Sequence, residues 1–168
     1  MKKAVLIICI LLLWALPAFA MKNSPDGFRG IKWGDPTSAL GTQNNIKYEG
    51  ESGGFDIYTR TNDKLSIGDV SLDFIAYYFC NNKFVALAFD CKSSDADMIM
   101  RIFRERYGDP EQPNKYIKEY QWKDGNALII IKEDKFNKLV NVYMSSREQF
   151  NIAMKYLDER AKAAQSDF

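Results

Sequence analysis

The strongest alternation of apolar positions lies between Asp69 and Cys91. Val70–Cys80 is rich in aromatic and β-branched residues, breaks at Asn81 and Asn82, and is followed by a second apolar run, Lys83–Asp90. Asparagine tolerates the positive φ of a tight turn, so this stretch predicts a long β-hairpin with a two-residue loop. In that register Leu72, Phe74, Ala76 and Tyr78 lie beside Val85, Leu87, Phe89 and Cys91. Ile75, Tyr77 and Phe79 then share the other face with Phe84, Ala86 and Ala88. Both faces are apolar, so both need cover.

The remaining pattern supplies the cover. Gly27–Gly34 reads as a short entry strand, and Asp35 with Pro36 starts a brief helical stretch, Thr37–Leu40, that Gly41 stops. The polar, glycine-rich segment Gly41–Gly54 reads as a surface loop, and Phe55–Arg60 as a half-buried strand. A helix is expected after Ser94, whose spacing to Asp97 is that of a capping box, with Met98, Ile99, Ile102, Phe103 and Tyr107 as its buried stripe. Gly108, Pro110 and Pro113 end it. Tyr116–Lys123 and Asn126–Lys132 predict a second hairpin turning at Asp124 and Gly125, with Tyr120 and Trp122 on the face of Ala127, Ile129 and Ile131. Leu139–Ser145 is the last strand. The final helix starts at Ser145, with Glu148 at capping-box spacing and a stripe of Phe150, Ala153, Met154, Leu157 and Ala161.

Consecutive strands joined by short turns predict an α+β fold, an antiparallel sheet of about six strands with the two main helices packed on one face. Trp33–Pro36 and Tyr107–Pro110 share the order aromatic, glycine, aspartate, proline at corresponding places in the two halves, which suggests an internal duplication.

Composition adds an address and removes several chemistries. Lys2 and Lys3, an uncharged run from Ala4 to Leu16, and Ala18 and Ala20 at the small positions have the layout of a bacterial secretory signal, so 1–20 is expected to be a cleaved signal peptide. Cleavage after Ala20 leaves 168 − 20 = 148 residues, the size of one domain, 21–168. That product is expected in the periplasm or secreted, without a membrane span. Removing the two lysines leaves 23 − 2 = 21 basic against 22 acidic residues, a net charge of −1 that makes nucleic acid a poor partner. The absence of histidine excludes Ser-His-Asp and Cys-His triads, His-containing zinc sites and imidazole acid-base chemistry. No enzyme activity, no cofactor and no metal are expected.

Phe28–Gly34 resembles the mature N-terminus of small bacterial periplasmic proteins. The helix ending at Tyr107 and Gly108, the prolines after it and the strand with Tyr120 and Trp122 resemble BamE/SmpA-like and β-lactamase-inhibitor-protein-like domains. The lipid-carrying cysteine of the BamE/SmpA lipoproteins is missing. The resemblance implies a small α+β module that binds other proteins and has no catalytic residues.

Cys80 and Cys91 invite a disulfide in an exported chain. Cys80 lies at the turn and Cys91 about eight residues along the return strand, ~26 Å away at the usual strand rise, far beyond the ~7 Å between Cα atoms that a disulfide allows. Two buried thiols are the alternative. Asp90, Asp95 and Asp97 are better explained by helix capping than by calcium, and the facing pair Asp73 and Asp90 by relief at the open hairpin end.

The informative aromatics are Tyr77, Phe79 and Phe84, with Tyr143 on the same side. If the helices cover the other face, these four form an exposed partner-binding patch. Burial beneath the N-terminal segment that carries Trp33 is the alternative. The functional expectation is a non-enzymatic protein-binding module, of inhibitor or envelope-accessory type, whose partner is another envelope or secreted protein. A carrier of a small hydrophobic ligand or lipid in a closed pocket is the second reading, and a carboxylate-only enzyme the third.

Overall fold

The structure is a computed structural model that describes residues 21–165; the expected signal peptide, 1–20, lies outside the described residues. Its centre is the hairpin of β6 (Val70–Cys80) and β7 (Lys83–Lys92), which turns at Asn81 and Asn82 with φ of 48° and 57°. That is the expected two-residue turn, and Cys80 pairs with Lys83 across it.

The register beyond the turn differs from simple alternation. Phe79 pairs with Phe84 but Tyr78 pairs with Ala86, so Val85 is an extra residue in β7. A second irregularity leaves Asp73 unpaired between Leu72, opposite Cys91, and Phe74, opposite Asp90. These bulges re-aim the strands. Ile75, Tyr77, Phe79, Phe84, Leu87 and Phe89 gather on one face, called here the first. Phe74, Ala76, Tyr78, Ala86 and Ala88 take the second.

The hairpin sits inside an eight-stranded sheet whose strand pairs are all antiparallel. Its members are β3 (Ile46–Ser52), β4 (Phe55–Arg60), β5 (Ser66–Ile67), β6, β7, β8 (Glu119–Lys123), β9 (Ala127–Asp134) and β10 (Leu139–Ser146). The main path runs β3-β4-β6-β7-β10-β9-β8, with β5 paired to β6. A separate ribbon of β1 (Gly27–Phe28) and β2 (Ile31–Lys32) precedes it. The class is α+β as expected, with more strands than six. β3 was expected to be loop because its residues are polar; it is an edge strand, mostly exposed, and carries a bulge at Glu49. Charged side chains and a bulge are what an unprotected edge needs.

The expectation of two helices on one face is corrected. Helix α1 (Ala96–Tyr107) buries Ile99, Phe103 and Tyr107 in the first-face core with Tyr77, Leu87, Phe89, Trp122, Ile129 and Met144. Helix α2 (Arg147–Ala164) places Ala153 against Cys80, Val85 and Ala86, with Tyr78 and Tyr143 beside them, on the second face. A duplicated unit turned about an axis through the antiparallel β7–β10 pair would leave both helices on one side, so opposite placement also removes the simple duplication.

Local corrections have local causes. A 3-10 turn, Ser93–Asp95, precedes α1 without any side-chain cap, in place of the expected Ser94 capping box, and Met98 is exposed. β10 runs through Ser145 to Ser146, so the cap of α2 is Ser146, whose Oγ accepts from the Gln149 backbone N–H at 3.2 Å. Phe150 and Met154, assigned to a buried stripe, are exposed. The second hairpin has the expected face, Trp122 opposite Ile129 and Tyr120 opposite Ile131. Its loop is closed by Asp124 Oδ1, which accepts from the N–H groups of Asn126 at 2.7 Å and Ala127 at 2.8 Å. Among the described residues no helix is long and apolar enough to cross a membrane.

Candidate functional site

Three of the four residues expected to form a partner patch lie in the core. Tyr77, Phe79 and Phe84 have no exposed surface. Trp33 covers Phe84 with ring centroids 4.7 Å apart, and Phe28 lies 6.4 Å from Tyr77. This is the burial under the N-terminal segment that stood as the alternative. Tyr143 is half-buried and faces the opposite side, near Tyr78. The reversal follows from Val85: the bulge puts the large side chains on one face, and the N-terminal segment and α1 both pack there.

The two thiols are free and buried. Cys91 belongs to the first-face core and Cys80 to the second-face cluster, so the sheet itself separates them. Burial pushes the Cys91 thiol up to about 11, with Asp95, Asp90 and Asp73 adding to the rise. It is no nucleophile near neutral pH. Asp73 does not face Asp90; the bulge puts Phe74 there instead. Burial, then Asp73 and Asp134, raises the Asp90 carboxyl above its usual range. Among the described residues, no three His, Cys, Asp or Glu side chains are grouped to hold a metal ion.

The two covers of the first face meet only at the end of α1, where the Lys22 N–H donates to the Tyr107 carbonyl at 2.9 Å and Asn23 Nδ2 to the Arg106 carbonyl at 2.6 Å; beside that junction lies a cleft of about 430 Å³. The turn between β1 and β2 supplies Phe28 and Arg29, the approach to β5 supplies Lys64, Ser66 and Ile67, α1 supplies Ile102, Phe103, Arg106 and Tyr107, and Met144 lies on the sheet. The ribbon is shaped by its turn. Arg29 and Gly30 have φ of 50° and 83°, and a Cβ at Gly27 would lie 2.0 Å from the Ile31 carbonyl oxygen.

A buried carboxylate clamps the ribbon. Arg29 Nη1 donates to Asp63 Oδ1 at 2.7 Å and Nη2 to the Ser66 carbonyl at 2.9 Å, while Tyr77 OH donates to Asp63 Oδ2 at 2.5 Å. The Asp63 side chain is only 4% exposed. Burial first, then the hydrogen bond to Asp63, raises the Tyr77 phenol well above its ordinary value, so it stays a donor. Arg60 opposes that rise, and its buried Nε has no hydrogen-bond partner. Across the cleft, Arg106 Nε donates to Tyr107 OH at 3.1 Å, with the guanidinium 5.6 Å from the ring centre.

The cleft therefore has an apolar floor and a rim of cations. None of its lining residues carries a carboxylate. Sequence reasoning singled out Phe28–Gly34 and the stripe of Ile102 and Phe103, but as structure. The clamp joins residues 34 positions apart, which no local pattern reports. The one local signal was Arg106, three and four residues beyond Phe103 and Ile102 and so on the side of the helix where they lie. Comparison with family models, with curated proteins and with solved structures finds no match to the chain.

Proposed function

We propose that this chain is a non-enzymatic binding protein that holds a small, largely apolar ligand in the first-face cleft. The supporting observation is the cleft itself: about 430 Å³ between the N-terminal ribbon, the approach to β5 and α1, within the ~300–1,000 Å³ range of small-molecule sites, with Phe28, Ile67, Ile102, Phe103 and Met144 lining it. The second reading of the sequence shares the ligand class but puts it in a closed pocket lined by Tyr77, Phe79 and Phe84; the cleft is open and lined by other residues. Ligand binding gains because the residues invoked by the first reading are buried. The test is an environment-sensitive apolar dye titrated into the protein and into Ile102→Trp, which fills the gap. Dye binding that the substitution abolishes, with the melting temperature retained, supports the reading. Undiminished binding to the filled variant removes it.

A protein-binding role keeps one observation in its favour. α2 covers only one end of the second face, where Tyr78 and Tyr143 pack half-buried beside Ala153; Phe74, at 39% exposure, lies outside that cluster. In this reading the contact surface moves from Tyr77, Phe79 and Phe84 to that face, and the partner is another envelope or secreted protein. Capture from an envelope extract by the chain, lost in Phe74→Ser with Tyr143→Ser, is the corresponding test. Both readings place the protein in the periplasm or outside the cell, an address that rests on residues 1–20; intact mass of exported material, expected to begin at Met21, checks it.

A further inference from the structure

We propose that the cleft selects an anion, specifically a monocarboxylate on an apolar body, with Arg106 and Lys64 holding the carboxylate at the rim. The inference rests on the ligand-binding reading above and adds the head-group chemistry. Three cations from three separate elements converge on one opening: Arg29 from the ribbon turn, Lys64 from the approach to β5 and Arg106 from the last turn of α1. The negative end of a helix explains a cation at Arg106. It does not explain the other two at the same mouth.

The three differ in what they have left to offer. Arg29 is committed to Asp63 and the Ser66 carbonyl, and its guanidinium lies 5.1 Å from the Phe28 ring centre. Its charge is cancelled by Asp63, so it shapes the wall rather than holding the ligand. Arg106 spends Nε on Tyr107 OH. Among the described residues neither Arg106 nor Lys64 has a carboxylate within ion-pair distance. The mouth thus carries two uncompensated positive charges above an apolar floor.

A carboxylate suits this arrangement better than a neutral or cationic group. A guanidinium fork makes paired, charge-assisted hydrogen bonds to a carboxylate, and an ammonium adds a point charge. The head group at the rim stays partly hydrated while the body lies on Ile67, Ile102, Phe103 and Met144, so no charge is carried into the floor. Size sets the class further. At ~30 Å³ for a water-sized group, 430 Å³ has room for about fourteen non-hydrogen atoms, the scale of a medium-chain fatty acid rather than a diacyl lipid.

The experiment is calorimetric titration of the full chain with octanoate, 1-octanol and octyltrimethylammonium, repeated on Arg106→Gln/Lys64→Gln. Octanoate is expected to bind about tenfold more tightly than 1-octanol, or ~1.4 kcal/mol, with the cationic analogue weakest. The double variant should bring octanoate to the level of 1-octanol and leave 1-octanol unchanged, a readout that a purely structural role for the two residues would not produce. Added salt should narrow the wild-type difference. If 1-octanol binds as well as octanoate, the cleft takes apolar ligands without reading charge and this proposal falls alone. If none of the three binds, the ligand-binding reading falls with it.

Discussion

The two faces of the central sheet are built from the same hairpin and carry opposite contents. On the first face Ile75, Tyr77, Phe79, Phe84, Leu87 and Phe89 are completely or almost completely buried, under α1 on one side and Phe28, Ile31 and Trp33 on the other. On the second face small residues, Ala76, Cys80, Val85, Ala86 and Ala88, make up most of the surface, Phe74 and Tyr78 keep exposure, and α2 contributes one buried residue, Ala153. Large rings need thick cover and supply most of the apolar area removed from water. Alanines let a helix approach closely but give it little to hold. The difference teaches that one extra residue, Val85, decides which face becomes the core and which keeps accessible surface.

The largest expected effect separates the faces directly. Phe84→Ala removes a ring packed on Trp33, Tyr77 and Phe79 and should cost about 3–5 kcal/mol. Urea unfolding reads it. A cost near that of an exposed residue would show that the first face is not the core.

The thiols offer the next comparison. Cys91 has an ordinary value of 9.0 and is pushed up to about 11, chiefly by burial. A folded value above the unfolded one stabilises the fold fully below pH 9.0 and loses that contribution as pH rises towards 11. The melting temperature should therefore fall across that interval. Cys91→Ala should flatten part of the fall, the rest belonging to Cys80 and to the raised phenols of Tyr77, Tyr78, Tyr107 and Tyr143. An unchanged pH profile in Cys91→Ala would deny the thiol its folded-state environment.

Ser146→Ala deletes the cap of α2 and should cost about 1 kcal/mol. Because α2 is lightly seated, the loss should appear as fraying of that helix in hydrogen exchange, with protection of β6 and β7 unchanged. Equal loss over the whole sheet would mean that α2 is integral to the core. The smallest effect is expected at Phe74, where Phe74→Ser should change stability by under about 0.5 kcal/mol. A drop comparable to Phe84→Ala would mean that the open part of the second face is covered.

Much of the fold could be read from the chain because it is local. The Asn81–Asn82 turn, the face shared by Trp122 and Ile129, and the six strands from β4 onward other than β5 all follow from neighbours a few residues apart. What was not legible is set by single extra residues and by distant partners. A period-two pattern assumes an unbroken ladder, so it placed Leu87 and Phe89 opposite the wrong neighbours once Val85 bulged. Which face a helix takes depends on where its apolar residues find volume. The alternation around Ala86 and Ala88 hid how little there was on the second side. The cleft was least legible, since Arg29, Lys64 and Arg106 come from three elements and only the fold brings them to one opening.

The β7–β10 pairing at the middle of the sheet has a kinetic consequence. Its partners range from Lys92 and Leu139, 139 − 92 = 47 positions apart, to Ala86 and Ser145, 145 − 86 = 59 apart, whereas the widest pair within β3 to β7 is Asp56 and Phe79, 79 − 56 = 23 apart, and the pairs within β8 to β10 are hairpin neighbours. Closing so long a segment costs entropy before any ladder bond offsets it. Each side of the sheet can therefore assemble on its own early in folding, and the rate is governed by the late zipping of β10 onto β7. Until that step the long edges of both strands are unpaired, and they are the edges through which two unfinished chains would meet.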